Sequence, residues 1–271
     1  MKAALLQLTS GDDLAANLIQ TLSAMRDAAG QGAGFILTPE VTNCVSTSRT
    51  HQQRVLQTEA DDQTLAALRA EAKALGVWLS IGSLALKTDD PDGRFANRSF
   101  VIDRDGQIAA RYDKIHMFDV TVSETETYRE SAGYRPGDRA VTTDTPFGKL
   151  GLSICYDLRF AYLYRALAQA GADILLVPSA FSPVTGAAHW QALLQARAIE
   201  TGCYVLAAAQ TGDHGGRHTF GHSLAISPWG EVLADAGTSN CITLVDIDRQ
   251  SVSDARKRIA ALTHDRTFEG P

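Results

Sequence analysis

The sequence predicts an α/β protein, a four-layer α-β-β-α sandwich built from two similar halves. Three observations lead there. Apolar runs such as GFIL at 34–37 and DILLV at 173–177 are continuous rather than alternating, as in strands covered on both faces. Between such runs lie stretches of helical periodicity, so strand and helix alternate along the chain. The order strand–helix–strand–helix–strand–strand then occurs twice, and two such halves can stack sheet on sheet with their helices outside.

In the first half AALLQL at 3–8 is a strand and 14–29 an amphipathic helix. GFILTPE at 34–40 is a buried strand, 65–75 a helix and VWLSIGSLAL at 77–86 a strand. The hairpin RSFVIDRDGQIAARYDK at 98–114, turning at Arg104, Asp105 and Gly106, closes the half. The second half repeats the order. GKLGLSICY at 148–156 is a strand, 160–170 a helix, ADILLVPSA at 172–180 a strand, 189–201 a helix and CYVLAAAQ at 203–210 a strand. Its hairpin is HSLAISPWGEVLADAG at 222–237. Both GFILTPE and DILLVPSA place a proline right after the apolar run, where a strand leaves its sheet.

No Gly/Ser or Pro-rich linker separates the halves, so residues 1–250 read as one domain. Residues 251–271 read as a basic helix and tail, packed on that domain or on a partner subunit. Residues 115–147 are long, polar and aperiodic, and a loop of that length in a compact domain usually serves a site.

The formal net charge of −6 and the lack of a long basic run argue against nucleic acid. No stretch approaches the roughly 18–20 apolar residues of a membrane span, and the N-terminus has no signal-peptide pattern. Cys44, Cys155, Cys203 and Cys241 form no CxxC pair, so reduced thiols in the cytoplasm are expected. His214, His218 and His222 recur every four residues, but Gly215, Gly216 and Gly221 interrupt any helix that would align them. Neither metal nor cofactor is called for.

Three reactive side chains sit just past apolar strands: Glu40 after GFILTP, Lys114 after IAARYD, and Cys155 after GLSI. In layered α/β folds the ends of strands are where sites collect. A thiol at the tip of a buried strand, entering a helix, sits near backbone N–H groups that can hold an oxyanion. A carboxylate can take the thiol proton, and an ammonium can stabilise charge on a carbonyl oxygen. Each also has an ordinary reading: Glu40 as a cap, Lys114 as a solvated hairpin end, Cys155 as core filler. The surroundings do not fit a papain-like protease, and no resolving cysteine is close in sequence for a redox thiol.

GFILTPE, RYDKIHMFD at 111–119 and GLSICYDLRF at 151–160 resemble the three signature segments of the nitrilase (carbon–nitrogen hydrolase) superfamily. Further matches are PSAF at 178–181, TGAAHW at 185–190, ARAIETGCYVLAAAQ at 196–210, GHS at 221–223 and SPWGEVLADAG at 227–237. The resemblance implies the α-β-β-α fold and a catalytic set of Glu40, Lys114 and Cys155, with Glu130 in YRES positioning the lysine and the substrate. That loop carries several other acids, Glu124 and Glu126 among them, any of which can simply be solvated. The implied activity is attack of Cys155 on an amide carbonyl, with the oxyanion held by Lys114 and the Tyr156 backbone N–H. A thioester, acid and ammonia follow.

Within the superfamily TGAAHW and ARAIETGCYVLAAAQTGDH look most like the deaminated glutathione amidases, with the ω-amidases acting on 2-oxoglutaramate and 2-oxosuccinamate as the alternative. A carboxylate-bearing substrate needs a cation. Arg159 is the candidate, set against a structural pairing with Asp157 or another acid, and His116, Phe181 and Thr185 are further candidate lining residues. Ala161 and Tyr162 stand where relatives have Pro-Glu, and Ala187 where they have Pro. The resemblance suggests a homodimer or higher oligomer. The reading from another class is a silent dimeric binding or scaffold protein, against which the intact Glu40, Lys114 and Cys155 argue.

Overall fold

The computed structural model describes residues 1–122 and 126–270. In chain order the first half comprises β1 (Lys2–Gln7), α1 (Leu14–Gly30), β2 (Phe35–Leu37), α2 (Arg49–Val55), α3 (Gln63–Leu75), β3 (Trp78–Leu86), β4 (Ala96–Ile102) and β5 (Ile108–Asp113). A short hairpin of β6 (Asp119–Thr121) and β7 (Thr127–Arg129) follows. The second half comprises β8 (Thr142–Thr145), β9 (Gly148–Leu152), α4 (Ala161–Gln169), β10 (Ile174–Leu176), α5 (Pro183–Thr201) and β11 (Tyr204–Ala207). It continues with the hairpin β12 (Thr211–Asp213) and β13 (His218–Phe220), then β14 (Leu224–Ile226), β15 (Val232–Asp235), β16 (Cys241–Asp246) and α6 (Arg249–Arg258).

Two six-stranded sheets result, in the orders β16-β1-β2-β3-β4-β5 and β15-β14-β11-β10-β9-β8. In each, three parallel strands carry an antiparallel pair on one side and one antiparallel strand on the other. The duplication expected from the sequence is therefore present, with one addition. The strand that follows β5 in the sheet count, β8, pairs with β9 of the second sheet, and β16 at the end of the chain returns to pair with β1. The second half thus lends its last strand to the first sheet, while β8 stays with the sheet of its own half. TTDT, the β8 segment, has no apolar period, so by sequence alone it belongs to the polar loop 115–147.

The side chains of the continuous apolar strands go both ways. Ala3, Leu5, Phe35 and Leu37 join Leu150, Leu152 and Ile154 in the core that includes both sheets, and Phe35 packs on Phe147 with ring centroids 4.8 Å apart. Ala4, Leu6 and Ile36, the alternate residues, pack with Met25 and Ala28 of α1 and Leu65 and Leu68 of α3. This period-two division places helices outside and sheet against sheet within.

Local signals set the helix ends. The Asp13 carboxylate accepts from the Ala15 and Ala16 N–H groups, and Asp62 accepts from Leu65. Gly76 ends α3 at φ 65°. Helix α5 starts six residues earlier than periodicity indicated, at Pro183 rather than 189, because Ser182 caps it and Pro183 occupies its first position. Ala187 therefore stands inside a helix rather than a loop, and a proline-free helix interior suits it. Helix α2 buries only Gln52, so it carried no apolar period to read. Behind α6 the tail docks on α4, where Arg165 donates to the Ala261 carbonyl at 3.0 Å and Gln169 to Asp265 at 2.6 Å.

Candidate active site

The carboxyl ends of β2, β5, β9 and β10 converge at one end of the paired sheets, and a cavity of about 300 Å³ opens there. Glu40, Lys114, Glu130 and Cys155 all line it. What brings the two sheets close at this point is Gly82. A Cβ at that position would lie 2.1 Å from the Thr38 carbonyl oxygen and 2.5 Å from both the Pro178 side chain and the Pro39 carbonyl oxygen. The register of β3 and β4 shifts between Ile81 and Leu84, and the irregular segment holds the Glu40 turn. Gly82 N–H donates to Thr38 Oγ1 at 3.0 Å, Ser83 N–H to the Pro39 carbonyl at 3.2 Å, and Val41 N–H to Ser83 Oγ at 2.7 Å.

Cys155 opens a 3-10 turn, Cys155–Arg159, with a left-handed backbone at φ 50°. Only a position held from several sides keeps a non-glycine residue there. Its N–H donates to the Pro178 carbonyl at 2.9 Å, which ties the nucleophile turn to the end of β10. Asp157, fully buried, supplies the second tie. Its carboxylate accepts from Ile154 N–H at 2.8 Å, Tyr112 Oη at 2.6 Å, His116 N–H at 3.0 Å and His116 Nδ1 at 2.7 Å. One side chain thereby joins the cysteine turn to the segment carrying Lys114.

Lys114 is 2% exposed and lies between two carboxylates. Its Nζ donates to Glu40 Oε1 at 2.8 Å and sits 2.9 Å from both oxygens of Glu130. Glu40 also accepts from Asn97 Nδ2 at 2.9 Å and, through Oε2, from the Ala180 N–H at 2.9 Å. Glu130 Oε2 accepts from the Phe118 N–H at 2.7 Å. Burial pushes the Glu40 carboxyl up, but the Lys114 ammonium and the hydrogen bonds from Lys114 and Cys155 outweigh it and hold the group below the ordinary carboxylate value. Burial works against the Lys114 charge, and the Glu130 and Glu40 carboxylates more than restore it, so the amine stays protonated. Burial and the Glu40 charge push the Cys155 thiol up, with Lys114 and the Ala180 N–H opposing. The resting site therefore pairs a neutral thiol with an ionised carboxylate that accepts its proton, rather than a free thiolate.

A sequence profile described as carbon-nitrogen hydrolase matches residues 2–257. The chain belongs to the carbon–nitrogen hydrolase family. A deaminated glutathione amidase from Yersinia enterocolitica is 38% identical over 265 residues, covering 97% of this chain and 92% of that one. A human ω-amidase is 35% identical over 267 residues, covering 98% and 95%. Among solved structures, a glutamine-for-glutamate variant of the amidase from Nesterenkonia sp. AN1, with acrylamide Michael-added at its active-site cysteine, superposes with a TM-score of 0.79 at 27% identity, covering 96% of this chain and 98% of that one. The protein is a thiol-dependent hydrolase of amide carbon–nitrogen bonds.

Of the lining residues expected in this carbon–nitrogen hydrolase, Phe181 and Thr185 line the cavity, and so does Tyr156. The Tyr156 N–H lies in the first turn of the 3-10 segment, where no intrahelical carbonyl is available to it. Arg159 and His116, the other two expected lining residues, stand next to the cavity rather than among the residues that line it. A 3-10 turn has about three residues per turn, so the fourth residue after Cys155 is rotated well away from the thiol. The Arg159 guanidinium lies 5.9 Å from the Tyr156 ring and 5.8 Å from the Phe181 ring, with Nη2 3.3 Å from His189 Nδ1. It does not pair with Asp157. His116 is spent on Asp157 and stacks on Phe160 at 3.5 Å.

Sequence reasoning missed Asn97, the Ala180 N–H, Asp157 as a tie, and Arg217, which lines the cavity. The signal for Asn97 was a lone amide within the apolar strand FANRSF. Arg217 carried none, because it lies on a turn far along the chain. Glu126 hydrogen-bonds Tyr128, and Glu124 lies outside the described residues. The three histidines do not converge. His214 is buried between the Ser10 carbonyl and Thr219, His218 is exposed on β13, and His222 pairs with Asp235 at 3.0 Å. Among the described residues no cluster of three metal-ligating side chains exists, and no helix is long and apolar enough to cross a membrane.

Proposed function

We propose that the protein cleaves the amide of a small carboxylate-bearing substrate through a thioester on Cys155, and that deaminated glutathione is that substrate. One observation carries the mechanism: the thiol of Cys155, the carboxylate of Glu40 and the ammonium of Lys114 share one cavity, with Glu40 hydrogen-bonded to Lys114 at 2.8 Å.

The Cys155 sulfur attacks the amide carbon while Glu40 takes the thiol proton, a step in which a positioned base is worth about 10²–10⁴-fold. The carbonyl electrons move onto oxygen, which the Tyr156 N–H and Lys114 stabilise. Lys114 has three protons, and exchanging one contact to Glu130 for the oxyanion leaves the ammonium paired on its other sides. Glu40 then gives its proton to the leaving nitrogen as the carbon–nitrogen bond breaks. Water, deprotonated by Glu40, attacks the thioester. The carbon–sulfur bond breaks, the thiol regains its proton, and the acid leaves. Asn97 and the Ala180 N–H keep Glu40 oriented through both halves, and Glu130 holds Lys114.

A primary amide releases ammonia in this scheme. Deaminated glutathione has only peptide amides, so its leaving group is an amine, and the expected ammonia applies to the other substrates alone.

A second copy is proposed to cover the exposed apolar side chains of Ile199, Trp229, Val232 and Leu233. Ile199 lies against Gly230, which makes these residues neighbours. Four free thiols fit the cytoplasm. Residues 1–250 are proposed to act as one domain, with 251–271 as its helix and tail.

The test is product release from deaminated glutathione, 2-oxoglutaramate, glutamine, asparagine and a simple nitrile, reading both free amine and ammonia, with Cys155→Ala as control. Preference for deaminated glutathione, lost in Cys155→Ala, supports the proposal. Preference for 2-oxoglutaramate makes the protein an ω-amidase. No turnover, with Cys155 no more reactive than Cys44, Cys203 and Cys241, overturns catalysis in favour of a scaffold.

A further inference from the structure

We propose that Arg217 is the carboxylate-binding residue of this cavity and makes the protein selective for amides that carry a carboxylate away from the scissile bond. The inference rests on the amidase reading above and names the part of the site that selects its substrate.

Charge sets the requirement. Glu40 and Glu130 are two carboxylates facing the single ammonium of Lys114, so the reacting cluster alone is net negative and repels an anionic substrate. A second cation in the cavity removes that barrier, and Arg217 lines the same cavity as Cys155.

The backbone brings it there. Arg217 closes the turn between β12 and β13, in which Gly215 and Gly216 adopt φ of 75° and 98°, and its carbonyl accepts from the His214 N–H at 2.8 Å. Side chains other than glycine rarely take such angles, so the HGGR sequence is what folds the arginine back over the site. Its Nη2 donates to the Ala180 carbonyl at 3.3 Å, while the N–H of the same Ala180 donates to Glu40 Oε2 at 2.9 Å. A single residue, Ala180, thus lies between the guanidinium and the base. Its positive charge reaches Glu40, helping to lower that carboxyl, and Tyr128 and Tyr134 on the cavity wall.

Arg217 also has donors to spare among the described residues. Among the described residues no carboxylate lies within 4 Å of it, and one long bond to a carbonyl uses one of its five N–H donors. Arg98 and Arg197, by contrast, are tied into carboxylates at 2.6 and 2.9 Å. A half-buried guanidinium with an open fork matches a carboxylate with two parallel bonds. Arg129 lines the cavity too but is exposed, with Nη1 on the Tyr128 carbonyl, and serves as the control.

The experiment compares glutaramate, the half-amide of glutaric acid, with its uncharged methyl ester, reading ammonia release from the wild-type protein, Arg217→Ala, Arg217→Lys and Arg129→Ala. The wild type prefers glutaramate. Arg217→Ala lowers the ratio of kcat/KM for the two amides by about 10- to 100-fold, the loss expected for hydrogen bonds to a charged partner, mainly through KM. Arg217→Lys keeps part of the preference. Equal losses on both amides mean that Arg217 only supports the fold or Glu40 and overturn the proposal, as does a ratio that falls in Arg129→Ala instead.

Calorimetric titration of Cys155→Ala with glutarate gives the same answer without turnover. Binding that weakens by a similar factor in Cys155→Ala/Arg217→Lys or Cys155→Ala/Arg217→Ala supports the subsite, and unchanged binding overturns it. Turnover of amides with an indifferent Arg217 defeats this inference alone. Silence of the wild type on every amide defeats the amidase reading beneath it.

Discussion

Replacing Lys114 by methionine removes an ammonium that lies 2.8 Å from Glu40 and 2.9 Å from Glu130, and leaves both carboxylates buried without it. At an effective dielectric near 20, one such contact is worth about 6 kcal/mol in gross Coulomb energy. The desolvation of the lysine offsets much of this, and removing one partner of a buried pair costs about 3–5 kcal/mol net. The direction of the pH dependence is the sharper test. In the wild type Glu40 is held below its ordinary value of 4.5, so its contribution to stability is present above that pH and is lost as pH falls through the lowered value. In Lys114→Met the effect of burial is left to dominate and raises the folded value above the unfolded one. Stability then declines as pH rises through the raised value, and the variant gains on acidification from pH 8 towards 5. Urea denaturation followed by circular dichroism across that range measures both effects. Glu130→Gln added to Lys114→Met recovers part of the loss by removing one of the two unpaired charges. A Lys114→Met protein within about 1 kcal/mol of the wild type, with no gain at lower pH, refutes the account of a buried charge cluster.

Two further substitutions probe the scaffold of the site. Gly82→Ala forces a Cβ to within 2.1 Å of the Thr38 carbonyl oxygen, where only backbone can give way, so it costs about 2–3 kcal/mol or more and lowers kcat/KM by displacing the Glu40 turn. Thermal melting and steady-state kinetics report it, and a stable, fully active variant contradicts the close approach. Asp157→Asn turns an acceptor of four donors into a group that presents an N–H₂ to them, costing about 1.5–3 kcal/mol. Its signature is a fall in kcat larger than any rise in KM, because the cysteine turn shifts against Lys114. A change confined to KM argues against the tie.

Much of the architecture was legible along the chain. Strands buried on both faces must be continuously apolar, so their runs and the helices between them stand out, and the repeat shows because both halves use the same pattern. Two kinds of element escaped. β8 and α2 bury little apolar surface of their own, so nothing in TTDT or RTHQQRV marks them. β16 falls outside the repeated pattern and escaped as well, since its partner β1 is separated from it by almost the whole length of the chain and no local pattern reports such a pairing.

The site divides in the same way. Glu40, Lys114 and Cys155 each follow an apolar strand, and a reactive side chain at a strand end is visible in one dimension. The caps at Ser182 and Asp62 and the left-handed glycines at 76, 215 and 216 are local features too, but apolar periodicity does not report them and by itself starts α5 at 189. What only the tertiary structure decided is direction and company. A 3-10 turn sets Arg159 beside the Phe181 ring, Asp157 takes His116, and a glycine-bent hairpin brings in Arg217 from about sixty residues beyond the cysteine. Burial and charge then set the protonation of Glu40 and Cys155. Those quantities depend on what surrounds a group in space, and strands brought together from distant parts of the chain supply the surroundings.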